Sequence, residues 1–154
     1  SLYPLTERGI RGDPDIELRR AYALTDAKRL GKSMGIEIKR SAAPLPEEVE
    51  FLAAWTNTGG EYMDMEEFSR LSMERLWMSD DKPEPRKYAA IYERSAGGPP
   101  PEDLERARNK LAANARRLRK KGHWETPAAL VYGQWFFAHE RLDRIAGRLE
   151  YLGF

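Results

Sequence analysis

The chain has 154 residues, enough to bury about 70% of its unfolded surface around one core. Hydrophobic residues make up 41% and charged residues 33%, and 26 basic against 25 acidic side chains leave a formal charge of +1, which speaks against disorder and against a polyelectrolyte partner. There is no cysteine, so a disulfide framework, cysteine-based zinc sites and thiol exchange by this chain alone are excluded.

Residues 1–12 read as irregular. Asp13-Pro14-Asp15-Ile16-Glu17 then supplies a cap, an early proline and early acids. Leu18, Ala21, Tyr22, Ala27 and Leu30 recur near helical spacing, with Gly31 as a stop signal, which predicts a helix over about 14–30. A second helix is expected from Pro46, with Glu47 and Glu48 at its positive end and Val49, Leu52, Ala53 and Trp55 as inward candidates before Gly59-Gly60. Asp64-Met65-Glu66-Glu67 forms a capping-box pattern ahead of Phe68, Leu71, Leu76 and Trp77, predicting a third helix to Met78. A short fourth helix is expected over 85–94, with Tyr88, Ala89, Ile91 and Tyr92 before the turn at Gly97-Gly98-Pro99.

A long helix over 102–121 follows from the seam Leu104, Ala107, Leu111, Ala115 and Leu118, with Gly122 as its left-handed stop. Clustered bases at Arg116, Arg117, Arg119, Lys120 and Lys121 invite a nucleic-acid reading. The stronger account is that they complement the negative end of their helix, with Glu102, Asp103 and Glu105 at its start, so no nucleic-acid partner is expected. Thr126-Pro127 then enters an apolar run, and a Gly133-Gln134 turn, an aromatic run and an amphipathic tail to Phe154 read as strand, hairpin, strand, helix. Pro127 belongs at the first position of its strand, because proline cannot donate to a ladder.

Trp124, Trp135, Phe136 and Phe137 are candidates for the core. So are Met63, Met65, Met73, Met78 and Trp77, which would otherwise form a soft apolar wall for an aromatic substrate. His123 and His139 are the only histidines and form no His-x-x-x-His pair, so no metal is expected. No apolar run approaches the roughly 20 residues that span a bilayer, and Ser1-Leu2-Tyr3-Pro4 lacks a basic region followed by an apolar one. Membrane insertion is therefore not expected.

The segment Phe136-Phe137-Ala138-His139-Glu140-Arg141-Leu142-Asp143, preceded by Thr126-Pro127 and an apolar strand, resembles the DsbA-like branch of the thioredoxin superfamily. Its isomerases and kappa-class glutathione transferases typically carry Gly-Val-Pro or Gly-Leu-Pro, a strand, a turn and Phe-Phe/Trp-Gly-x-Asp-Arg-Leu-Asp. This chain departs from that pattern at Ala138 and Glu140. Asp26-Ala27-Lys28-Arg29-Leu30-Gly31 and the stretch from Phe68 to Trp77 look like the family's helical insertion.

The resemblance implies an α/β thioredoxin-like fold with an α-helical insertion subdomain over 1–101 and the closing helix, cis-proline hairpin and helix over 102–154. It also implies an opening strand-helix-strand unit of roughly 50 residues, carrying the reactive group. That unit has no counterpart before residue 13, and is expected upstream of Ser1 or from another chain; a homodimer is the alternative partner.

By position in the resemblance, the backbone of Thr126 and Pro127 would bind the peptide-like backbone of glutathione, and His139 and Glu140 its γ-glutamyl end. Plainer readings stand beside these, with Pro127 merely starting a strand and Glu140 merely complementing a helix dipole. The implied activity is a glutathione-dependent isomerase or transferase resembling 2-hydroxychromene-2-carboxylate isomerase, acting on a small conjugated or aromatic substrate in the cytoplasm. Two alternatives stay open. One is a periplasmic DsbA-type oxidoreductase, suggested by Thr126-Pro127 and by Leu111-Ala112-Ala113-Asn114, with its Cys-x-x-Cys elsewhere; the other is a non-catalytic binding module.

Overall fold

The structure, a computed structural model, describes residues 14–59, 63–123, 128–137 and 141–154. Over these residues the protein is mixed α/β and mostly helical, with six helices and one two-stranded antiparallel sheet. In chain order they are α1 (Ile16–Ser33), α2 (Pro46–Thr56), α3 (Met65–Trp77), α4 (Pro85–Ala96), α5 (Glu105–Lys120), β1 (Ala128–Val131), β2 (Gln134–Phe137) and α6 (Leu142–Tyr151). The chain divides into two compact units, Ser1–Leu111 and Ala112–Phe154.

Helix ends follow local chemistry. The Asp64 carboxylate accepts from the Glu67 N–H at 2.9 Å and so caps α3. At α2 the Glu48 carboxylate reaches back to the Leu45 N–H at 2.9 Å, while Pro46 takes a first-turn position where an N–H is dispensable. Gly122 closes α5 as expected, with φ of 84° and bonds from its own N–H to the Arg119 carbonyl and from the His123 N–H to the Leu118 carbonyl. Gly31 is not the stop expected for α1. The helix continues to Ser33, and Gly35, at φ of 73°, makes the left-handed exit with the Ile36 N–H bonded to the Gly31 carbonyl at 2.8 Å. Gly31 is required for a different reason: a Cβ there would sit 2.8 Å from the Ile36 carbonyl oxygen.

The burial of α1 also differs from the apolar pattern that marks it. Leu18, Tyr22 and Leu30 are 71%, 66% and 60% exposed, whereas the less exposed stripe runs through Arg20, Leu24, Ala27 and Gly31. Spacing identifies the helix, but small residues let its other face approach the chain.

The core of the first unit is aromatic. Phe51 and Trp55 of α2, Tyr88 and Tyr92 of α4 and Phe68 of α3 are all buried. They touch edge to face in one continuous series: Tyr88 to Phe51 at 5.4 Å, Phe51 to Trp55 at 5.0 Å, Trp55 to Tyr92 at 5.2 Å and Tyr92 to Phe68 at 6.0 Å. Each such pair contributes about 0.5–1.5 kcal/mol beyond its buried area. Burial pushes the Tyr88 phenol above its ordinary pKa, against the pull of Arg40 and Arg75. Met63 joins this core and Met65 and Trp77 pack on it, while Met73 and Met78 are exposed. A smaller cluster of Ala54, Ala107 and Leu111 seats the start of α5 on α2.

One buried cation fastens the α1–α2 connection. Arg40 donates to the Leu76 carbonyl at 2.9 Å, to the Asp81 carbonyl at 3.3 and 3.2 Å and to the Ala42 carbonyl at 3.3 Å. The Lys39 N–H adds a bond to the Trp77 carbonyl at 2.9 Å. At the end of α3 the Leu76 carbonyl is thus met by the guanidinium and the Trp77 carbonyl by the Lys39 N–H, and the Arg40 charge also complements the negative helix end. Beside it, Asp80 accepts from both the N–H and the hydroxyl of Ser41, at 2.8 and 2.9 Å.

Replacing Arg40 by Met keeps the stem but strands several carbonyls. The expected cost is about 2–4 kcal/mol, read from the midpoint of urea unfolding, and Arg40→Lys recovers only part of it. The hydrogen bonds from Ser41, with minor help from Arg40 and Lys28, hold the Asp80 carboxyl below its ordinary value of 3.8. Its contribution to stability is therefore complete above about pH 4 and lost as pH falls through the lowered value. Asp80→Asn should shallow the acid limb of the stability profile below about pH 4; an unchanged limb would contradict this.

Candidate functional site

The second unit is built on a tight hairpin. β1 and β2 pair antiparallel in the register Ala128 to Phe137, Ala129 to Phe136, Leu130 to Trp135 and Val131 to Gln134. The turn is therefore Tyr132-Gly133, one residue earlier than the Gly133-Gln134 turn expected. Both turn residues have positive φ, 44° and 82°, the type I′ geometry whose twist matches that of paired strands. Gln134 is the first residue of β2 instead.

Alternation along this hairpin sorts its side chains. Leu130 and Trp135 share one face, Ala129 and Phe136 the other. Phe136 is buried, and α6 lies against β1. Trp135 is anchored rather than simply packed: its indole N–H donates to the Lys121 carbonyl at 3.0 Å, and the buried His123 ring lies 4.7 Å from it at a 36° tilt. The left-handed exit at Gly122 turns the end of α5 onto the hairpin, so this contact follows directly from the α5 stop. No residue of α6 is fully buried. Leu142, Tyr132, Tyr151 and Phe154 remain exposed around the hairpin.

Thr126, Pro127, His139 and Glu140 all lie outside the described residues, as does Trp124. The described chain fixes their sequence neighbours. Thr126-Pro127 immediately precedes Ala128, the first residue of β1, and His139-Glu140 lies between Phe137, the last of β2, and Leu142, the first of α6. Arg141 is the cap residue of α6 and its side chain makes no capping bond. The opening N–H groups of that helix suit an anion.

A separate concavity lies in the first unit, between α2 and α3. It has a volume of about 220 Å³ and is walled by Val49, Leu52 and Ala53 from one helix and by Phe68, Met73 and Leu76 from the other. Ser72 also lines it, buried, with no hydrogen-bond partner for its Oγ. Of the soft apolar wall expected from Met63, Met65, Met73, Met78 and Trp77, only Met73 lines this cleft; the space itself comes from Ala53 and Ser72 being small, which no sequence pattern marks.

No family model, curated protein or solved structure matches the chain. Among the described residues, no group of three or more His, Asp or Glu side chains could hold a metal ion, and no helix is long and apolar enough to cross a membrane.

The hairpin turn is testable. Tyr132 occupies a left-handed position that asparagine adopts more readily, so Tyr132→Asn should raise the melting temperature, by the equivalent of about 0.5–1 kcal/mol. Gly133→Ala should lower it by about 1 kcal/mol. The opposite order in calorimetric melts would exclude the type I′ turn.

Proposed function

We propose that this protein works as a glutathione-dependent isomerase or transferase of the 2-hydroxychromene-2-carboxylate isomerase type, on a small conjugated or aromatic substrate, and that its fold is thioredoxin-like. The reading is supported by the order α5, β1, β2, α6. An antiparallel hairpin with a two-residue turn begins directly after Thr126-Pro127 and is followed closely by a helix whose sequence approach is His139-Glu140. That arrangement agrees with the resemblance carried by Phe136 to Asp143.

If bound there, glutathione would supply a thiolate nucleophile for reversible addition to a conjugated substrate. The chain's own part is to bind and orient. In this reading the Thr126 backbone would take the tripeptide by strand addition, Glu140 would pair with its ammonium, and the α6 N–H groups would meet the neighbouring carboxylate. The half-exposed Leu130 belongs to the hairpin face that an apolar substrate would meet.

The described sheet has only two strands, so β1 and β2 each keep one outer edge unpaired within it. This favours a second reading, an extended peptide bound by strand addition without catalysis.

Calorimetric titration of the protein with glutathione tests both. Saturable binding is expected, weakened roughly 5- to 30-fold by Glu140→Ala, equivalent to about 1–2 kcal/mol. Equal affinities would remove the ammonium contact. No binding by either protein, with binding of an extended peptide, would leave the second reading.

A further inference from the structure

The cleft between α2 and α3 combines three properties that a structural seam does not need. It is open between two helices packed on a shared aromatic core, its walls are almost wholly apolar, and it contains one buried hydroxyl, that of Ser72, without a partner. A buried polar atom left unsatisfied costs stability that an alanine at the same place would restore. Trp55 Nε1, Ser95 Oγ and Arg148 Nε are also buried without partners, but none of these residues lines the cleft. Among the described residues, Ser72 is the one that lines the cleft and carries a buried hydroxyl without a partner, and a χ1 rotation is what would bring that hydroxyl to bear on an occupant.

Size and chemistry narrow the occupant. An apolar cavity of about 150 Å³ accommodates benzene, so about 220 Å³ suits one aromatic ring with a short substituent. Phe68 offers a ring for an edge-to-face contact, and Met73, 44% exposed, a flexible thioether suited to aromatic partners. Charge is disfavoured. No lining residue is basic, and the one acidic side chain, Glu50, is engaged by Arg108 at 3.2 Å. A serine hydroxyl both donates and accepts, and rotation about χ1 takes it among its staggered positions.

We propose that the α2–α3 cleft is a binding site for small neutral phenols, the ring lying between Val49, Ala53, Phe68 and Met73 and the phenolic hydroxyl bonded to Ser72. The site belongs to the first unit and does not depend on glutathione or on the hairpin.

The probe is p-cresol, with toluene as the isosteric hydrocarbon, added without glutathione and followed by amide shifts in heteronuclear NMR. Saturable shifts centred on Ser72, Ala53 and Met73 are expected for p-cresol, with weaker binding of toluene. Ser72→Ala should melt at a higher temperature than the parent protein, yet bind p-cresol about 3- to 10-fold more weakly while toluene affinity is unchanged. Ala53→Phe fills the space and should abolish both titrations, its fold verified by circular dichroism. If Ala53→Phe does not fold, competition between toluene and p-cresol for the same shifts decides instead. Absent or non-saturating p-cresol shifts, equal p-cresol affinity in Ser72→Ala, or shifts centred outside the cleft would overturn the proposal.

Discussion

The edge-to-face series from Tyr88 through Phe51, Trp55 and Tyr92 to Phe68 is the contact on which the first unit depends. Three helices contribute to it. α4 supplies two rings one turn apart, α2 two rings one turn apart, and α3 the terminal ring. Because aromatic pairs prefer offset or perpendicular contact at centroid distances of about 4.5–7 Å, the rings set helix spacing as well as cohesion. α2 and α3 are thereby both committed to the same aromatic cluster. Their remaining faces diverge around the small side chains Ala53 and Ser72, and the cleft is the result.

The ends of the helices are held by two kinds of device. α1, α5 and α6 each close on a left-handed glycine, at Gly35, Gly122 and Gly153, whose geometry lets the chain satisfy its own last carbonyls. α3 has no such glycine. Its terminal carbonyls are instead met from a distance by Arg40 and Lys39, which converts the end of one helix into the anchor for the segment leading to the next. A local motif ends a helix but leaves the onward path of the chain open. The long-range fork ties sequence positions 36 apart, so it carries tertiary information that the glycine stops do not.

The difference explains what was legible in the sequence. Caps and stops act within a few residues, and so Asp64, Pro46, Pro85 and Gly122 gave helix positions accurate to a few residues. Arg40 lies in a stretch without periodicity, and no local pattern links it to Leu76. The turn was displaced by one residue because a bulky Tyr132 is not an expected occupant of a left-handed position, whereas Gly133 is. In α1 the conspicuous apolar residues Leu18, Tyr22 and Leu30 marked the helix but not its less exposed face, where the close approach is at Gly31. Of the residues proposed to hold glutathione, Thr126, Pro127, His139 and Glu140, the described chain fixes only the neighbours, namely the strand start and the helix start. Of the cleft only the Met73 wall was legible, for a physical reason: the space is defined by volume that side chains do not fill.

Arg40 and Ser72 show how a buried polar group can be read. Both sit among apolar neighbours on or beside α3, and both are nearly inaccessible. Arg40 uses its donors on carbonyls that would otherwise be stranded, so its burial is accounted for by architecture alone and requires no ligand. Ser72 makes no bond, and its helix would be at least as stable with a methyl group in its place. Local rules are obeyed along most of this chain, and departures from them concentrate where something other than folding sets the residue. By that criterion the guanidinium belongs to the scaffold, while the hydroxyl belongs to whatever enters the cleft.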